Sequence, residues 1–182
     1  VGFINDNERI KKKIKIDGSE IKKASDYYGK FVSVLFIPAD INIISGTPEI
    51  RRKYFDSVIS KIYPEYIDEL NEFKSVLNSR NIVLKKIREG RSGINELEVW
   101  NRLFSEKSFS IIRRRESFIE MFNKYFNEIY LMISGEPESP AIRYLKSGAV
   151  NPEDFYKSLL KNIRYDLKKG NTGSGPQRDD YL

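Results

Sequence analysis

The 182 residues predict a mostly helical α+β fold, with a small β-rich part first and a long helical arm after it. Alternation of isoleucine and lysine in RIKKKIKI, residues 9–16, has the period of two that is typical of a strand. Two later stretches, 64–88 and 95–134, instead repeat apolar residues every three or four positions, as helices do. Strand-like character returns near the end of the sequence.

The N-terminal part begins with a predicted hairpin. In residues 9–16 the isoleucines fall on one face and most of the lysines on the other, which indicates a half-buried strand. Asp17-Gly18 is a tight-turn pair, and Phe3 and Ile4 belong to the preceding partner strand. We expect a short helix over 20–28, closed by Gly29. These elements form a partial β-rich unit over 1–46.

A buried strand is predicted for Phe31–Ile37, because the stretch is short, apolar and ended by Pro38. Thr47-Pro48-Glu49 then begins a helix, with a capping hydroxyl, proline at the first helical position and an acid in the first turn. The apolar stripe of this helix is expected at Ile50, Tyr54, Val58 and Ile62.

The helical arm consists of two long helices. The first begins at Pro64 and has a 3.5-residue apolar repeat, which is typical of a coiled-coil seam; the repeat is formed by Tyr66, Leu70, Phe73, Leu77, Leu84 and Ile87. Arg80 interrupts the seam, and we interpret Arg80 and Asn81 as a device that sets the register. The second has one broad apolar face, formed by Leu97, Trp100, Phe104, Ile111, Phe118, Phe122, Tyr125, Ile129 and Ile133.

A short loop with Gly90 and Gly93 joins the two helices, so they are expected to pack antiparallel. After them come a short strand at 141–145 and a last helix that starts at Asn151-Pro152-Glu153 and ends at Gly170. The helical domain therefore covers 47–170, and 171–182 return to the first unit.

Composition excludes several classes of function. The sequence has no cysteine and no histidine, which excludes disulfides, thiol nucleophiles, the usual zinc sites and Ser-His-Asp triads. It has no phosphate-binding GxxxxGK[ST] loop, no GxGxxG and no EF-hand spacing. The longest apolar stretch, 31–38, is far shorter than the about 18 residues of a membrane span, and no signal peptide is evident. We therefore expect a cytoplasmic protein.

Two basic triplets are candidate contacts to DNA phosphates in a chain of net charge +6: Arg51, Arg52 and Lys53, and Arg113, Arg114 and Arg115. The alternative for the first triplet is that Arg52 pairs with Asp56 and the others are solvated. In the second, one arginine is expected beside the core and another in solvent.

Asp179-Asp180 is a third candidate, as a divalent-metal pair of a nuclease. Adjacent carboxylates in a loop point different ways, however, and we predict a solvated or ion-paired couple and no metal site.

Three stretches carry a family resemblance: VSVLFIPADINIISGTPEIRRKYFDSVI at 32–59, YIDELNEFKSVLNSRNIVLK at 66–85 and GPQRDD at 175–180. In this order, they resemble the RecF family of SMC-like ABC-type ATPases. The family usually has GPHRDD at the third, which is Gly175, Pro176, Gln177, Arg178, Asp179 and Asp180 here. Gln177 thus replaces a histidine, and Gly173 and Ser174 replace apolar residues.

The resemblance implies that the chain matches the middle of RecF, with edge strands of an ABC-type ATPase lobe plus an inserted antiparallel arm. It implies an ATP-dependent homodimer that binds double-stranded or gapped DNA, acts with RecO and RecR and helps to load RecA during DNA repair, replication, recombination and the SOS response. ATP and Mg²⁺ are implied for the full-length family. The alternative is a free-standing α-helical scaffold for a protein partner.

The resemblance places the Walker A, signature and Walker B motifs outside residues 1–182, so no nucleotide-binding or catalytic residue is predicted within them. Because these residues contain no phosphate-cradling loop, we expect the isolated chain neither to bind nor to hydrolyse ATP. Titration calorimetry tests this expectation, and saturable binding at micromolar ATP would contradict it.

Overall fold

The computed structural model describes residues 2–6, 9–21, 23, 26, 30, 33–146 and 151–182. Its first element is an antiparallel sheet of β1 (Gly2–Asp6), β2 (Arg9–Ile16) and β3 (Ser19–Ile21), in the order β1-β2-β3. Asp17 and Gly18 both have positive φ, 49° and 81°, as a two-residue hairpin turn requires. The predicted strand, its turn and its partner at Phe3 and Ile4 are therefore confirmed.

The predicted helix over 20–28 is wrong at its start, and the predicted strand over 31–37 is wrong for those of its residues that the structure describes. Residues 20 and 21 belong to β3 and not to a helix, while most of 22–29 lies outside the described residues. Residues 33–37 have no regular secondary structure, and Val34 and Phe36 are 96% and 85% exposed. The buried-strand prediction is wrong for them, because no strand of the described part of the chain lies beside them; residues 31 and 32 fall outside it.

Six helices follow in the described residues. A 3-10 turn at Pro38–Ile41 leads into α1 (Asn42–Ser45), and the longer helices are α2 (Pro48–Ile62), α3 (Tyr66–Arg88), α4 (Ile94–Ser134), α5 (Pro152–Lys161) and α6 (Ile163–Lys169). Pro48 occupies the first turn as predicted, although the Thr47 hydroxyl makes no capping hydrogen bond. The predicted last helix is two helices, divided at Asn162.

Helices α3 and α4 form the predicted antiparallel arm. They make the most extensive contact between any two elements described, and the connection between them contains Gly90 at φ 70°. In the seam of α3, Tyr66, Phe73 and Leu84 are buried. A mostly helical α+β fold is confirmed.

The main core joins α2, α3, α4 and α5 to the end of the chain. Its buried members are Phe55, Ile59, Tyr66, Phe73, Phe104, Ile111, Phe118, Ile119, Phe155, Leu159 and Tyr181. A second cluster toward the tip of the arm contains Val83, Leu84 and Leu97.

The predicted stripe of α2 is wrong at three of its four positions, since only Val58 packs against the core. Phe55 and Ile59 are buried, whereas Ile50, Tyr54 and Ile62 are each more than a third exposed. The reason is tertiary: α2 packs against both α4 and the end of the chain, and Phe55 stacks on Tyr181 with ring centroids 4.2 Å apart.

The apolar face of α4 is only partly covered. Tyr125, Ile129 and Ile133 are 62%, 52% and 82% exposed. Tyr66, the first residue of α3, lies beside Arg115 of α4, with Tyr66 Oη 3.2 Å from Arg115 Nε. Because α3 begins there, it gives no cover to the last turns of α4.

A two-residue antiparallel pair closes the described structure. β4 (Tyr144–Leu145) pairs with β5 (Asp180–Tyr181), which places the 175–181 segment against the helices. This segment carries the motif-like residues of the sequence. None of the helices described here combines the length and apolarity needed to cross a bilayer.

Helix pairing in the arm can be tested at Leu84, which is fully buried on α3. We expect Leu84→Ala to lower the free energy of unfolding by about 2–5 kcal/mol, because it leaves a cavity between packed helices. The control is Ile82→Ala on the same helix: Ile82 is 54% exposed, and its removal should cost less than about 0.5 kcal/mol. Equal urea-unfolding midpoints for the two variants would contradict this packing.

Candidate functional site

The first predicted basic residue, Arg51, is engaged within the protein. Arg51 Nε lies 2.7 Å from Asp180 Oδ1 and Nη2 lies 2.9 Å from Asp180 Oδ2, a two-pronged ion pair. Nη1 also donates to the carbonyl of Gly46 at 2.8 Å. The hydrogen bond from Arg51 holds the pKa of Asp180 below its ordinary value. Arg51 therefore joins α2 to β5.

Arg52 and Lys53 differ from Arg51 and from each other. Arg52 Nη1 donates to the carbonyl of Asp179 at 2.6 Å, so the predicted alternative, an Arg52–Asp56 pair, is wrong. Lys53 Nζ lies 2.7 Å from Glu49 Oε1, with both side chains mostly exposed. Such surface ion pairs contribute little to the free energy of folding, and Lys53 remains accessible to solvent.

Arg115 is the most enclosed cation of the second triplet, with 2% of its side chain exposed. Its Nε and Nη2 atoms lie 3.0 and 2.9 Å from the two carboxylate oxygens of Asp56 on α2. Nη1 donates to the carbonyl of Pro176 at 2.8 Å and lies 3.9 Å from Asp179 Oδ2. One guanidinium thus links α4, α2 and the 175–181 segment.

Two tyrosines complete this network. Tyr66 Oη donates to Asp56 Oδ1 at 2.7 Å, and the Tyr144 hydroxyl donates to Asp179. Burial raises the pKa of both tyrosines well above the ordinary value, so both remain protonated donors. The carboxylates of Asp56 and Asp179 are therefore held by buried partners.

The other two arginines of the second triplet face outward to different degrees. Arg114 Nη2 lies 2.9 Å from Glu69 and 3.3 Å from Glu65, and its guanidinium covers the ring of Tyr63. Arg113 is exposed and lies over the ring of Phe109 at 6.0 Å. The expectation of one arginine beside the core and one in solvent is confirmed by Arg115 and Arg113.

A second buried arginine lies toward the tip of the arm. Arg80 pairs with Asp166 of α6 at 2.8 Å, and donates to Asn101 Oδ1 at 2.8 Å and Thr172 Oγ1 at 2.6 Å. The neighbouring Asn81 accepts the backbone N–H of Thr172 at 2.8 Å. Arg80 and Asn81 therefore fasten α6 and residue 172 to the arm.

The GPQRDD segment, residues 175–180, packs closely against α4. Gly175 has φ 120°, and a Cβ there would lie 2.8 Å from the ring of Phe104. Gln177 Nε2 donates to the carbonyl of Ser174 at 2.9 Å. Residues 171–175 form no strand.

The carboxylates of Asp179 and Asp180 have different partners. Asp180 is bound to Arg51, whereas Asp179 is buried beneath Tyr144. Across the residues that the structure describes, no group of three acidic, histidine or cysteine side chains is arranged to hold a metal ion. The expectation that the two carboxylates point different ways is confirmed.

Sequence reasoning missed the partners in these networks: Asp56, Tyr66, Tyr144, Asp166 and Thr172. The sequence feature that could have revealed the Arg115 network is an arginine at a position where the helix is otherwise apolar. Arg115 lies four residues after Ile111 and three before Phe118, both of which are buried.

A comparison of Arg115 with Arg113 tests the structural role of the network. We expect Arg115→Met to cost about 3–5 kcal/mol, because it leaves the Asp56 carboxylate without its cation. Arg113→Met, two positions away on the exposed face, should cost less than about 0.5 kcal/mol. Denaturant unfolding measures both, and a similar cost for the two variants would rule out this role for Arg115.

Known proteins share both the sequence and the fold of this chain, although it matches no protein-family model. It is 33% identical over 182 residues to the DNA replication and repair protein RecF of Leptospira interrogans, covering 100% of this chain and 48% of that protein. The RecF of Clostridium novyi is 33% identical over 174 residues, covering 94% of the chain and 47% of the relative. The chain thus spans about half the length of these curated relatives.

Solved structures agree with the sequence relatives. The chain superposes with a TM-score of 0.86 and 33% identity on a structure of the recombination mediator protein RecF-ATP in the RecFOR pathway, covering 94% of this chain and 48% of that one. A structure of the same mediator with an ATP analogue gives a TM-score of 0.87. By sequence over its whole length and by fold, the chain matches a middle portion of RecF.

Proposed function

We propose that the chain is part of a RecF-type recombination mediator that binds DNA in an ATP-dependent way and helps to load RecA at single-strand gaps. The match to RecF over the whole chain, in sequence and in fold, carries this proposal. The complete protein would bind ATP and Mg²⁺, form an ATP-dependent homodimer and act in the cytoplasm with RecO- and RecR-like partners. These partners are supported by the structural relative, which is a mediator of the RecFOR pathway.

Within this proposal the two basic triplets have divided roles. Arg51, Arg114 and Arg115 pair with carboxylates of the same chain and hold the fold together. Lys53 and Arg113 are exposed and can reach a phosphate without breaking a buried ion pair. Phosphate contacts of this kind supply affinity and position without reading sequence.

The scaffold function remains a second candidate because of the exposed apolar end of α4. Tyr125, Ile129 and Ile133 lie on one face there and are not covered by α3. A helix face of this kind is typical of a surface that binds another protein. A mediator that assembles with partners could use this surface in addition to binding DNA.

A chimera tests the proposed function. Residues 1–182 replace the matching half of the RecF whose ATP complex is known, and duplex DNA binding is measured by fluorescence anisotropy with and without ATP. We expect binding that depends on ATP. The double variant Lys53→Gln, Arg113→Gln should weaken it alike for unrelated sequences and lower the log–log salt slope by roughly 0.9 for each phosphate that is no longer neutralised.

The matched control is Lys161→Gln, Arg164→Gln, which removes two exposed charges from α5 and α6. This control should retain both affinity and salt slope. A folded chimera that binds RecR but no DNA in any nucleotide state would overturn the proposal in favour of the scaffold.

A further inference from the structure

One residue of the GPQRDD segment, Arg178, is unlike its neighbours. The side chains of Asp179 and Asp180 are held by Tyr144 and Arg51, and Gln177 is bonded to Ser174. Arg178 is exposed, and its guanidinium has no ion pair or hydrogen bond with any residue that the structure describes. The outward-facing member of the segment is therefore a cation.

The backbone on both sides of Arg178 is fixed. Its own N–H donates to the carbonyl of Gly175 at 2.8 Å, closing the 3-10 turn Pro176–Arg178. The carbonyl of Pro176 accepts from buried Arg115, and that of Asp179 accepts from Arg52. Helices α2 and α4 thus hold the base of this side chain in one position, as a preorganised contact requires.

The local charges favour an anion as the ligand. Arg52 Nη1 donates to the carbonyl of Asp179, so a second guanidinium lies at the backbone of the residue that follows Arg178. The nearby carboxylates of Asp179 and Asp180 are already engaged by Tyr144 and Arg51 and do not compete for the Arg178 side chain. A guanidinium presented in this way matches a phosphate, which it binds through two parallel N–H groups.

We propose that Arg178 is a contact site for a backbone phosphate of DNA. This inference rests on the proposed function and adds to it the residue that the GPQRDD segment presents. The buried network then serves to position a residue at the surface. Arg115, Arg51 and Gly175 hold the turn, and the turn positions Arg178.

The chimera described above, with ATP, is the protein for the test, and labelled duplex DNA is the probe. Arg178→Gln should weaken binding about tenfold for unrelated sequences and lower the log–log salt slope by roughly 0.9. Arg178→Lys keeps the charge and should retain the slope. The Arg143→Gln variant is the control, because Arg143 is exposed beside β4 and should change neither value. Thermal unfolding should be the same for all four proteins.

Two results would overturn the inference and are distinguishable from each other. If the parent chimera binds DNA and Arg178→Gln binds with the same affinity and slope, the phosphate contact is wrong while the proposed function stands. If the parent chimera is folded and binds RecR but no DNA in any nucleotide state, the proposed function fails and the inference fails with it. Loss of RecR binding by Arg178→Gln, with DNA binding unchanged, would assign the residue to a protein interface instead.

Discussion

A positive charge in the core is the constraint on which this structure depends. A buried guanidinium is costly unless its hydrogen bonds and its charge are matched. Arg115 meets this requirement with Asp56 of α2, Tyr66 at the start of α3 and the carbonyl of Pro176. Three separate parts of the chain must therefore converge on one side chain. Arg80 imposes the same requirement nearer the tip of the arm, where it gathers α6 and the start of the last segment.

Much of the fold follows from local patterns. The first hairpin, the start of α2 at Pro48 and the two helices of the arm were predicted correctly, because turn chemistry and apolar period act within a few residues. Two of the errors, by contrast, depend on neighbours that are distant in sequence. The 33–37 stretch has strand composition but no strand beside it in the described part of the chain, and the stripe of α2 is set by the chain end packing on Phe55.

In the candidate site, too, local patterns predict some features, and contacts between distant residues determine the others. Basic triplets are visible in the sequence, but successive helical residues point about 100° apart, so their members cannot share one role. Spacing from Ile111 places Arg115 on the apolar face of α4 and Arg113 away from it. No such local pattern pairs Arg51 with Asp180, because the two residues are 129 positions apart and meet only in the folded chain.

The length of α4 determines how far a tilt of this helix would displace the end of the arm. It is one uninterrupted helix of 41 residues, and Arg115 fastens it near its middle. At 1.5 Å per residue, the loop between α3 and α4 lies about 30 Å from Arg115. A tilt of α4 by about 10° at Arg115 would therefore displace that loop by about 5 Å. Arg80 opposes such a tilt, because it fastens the arm at a second point, to Asp166 of α6 and to Thr172.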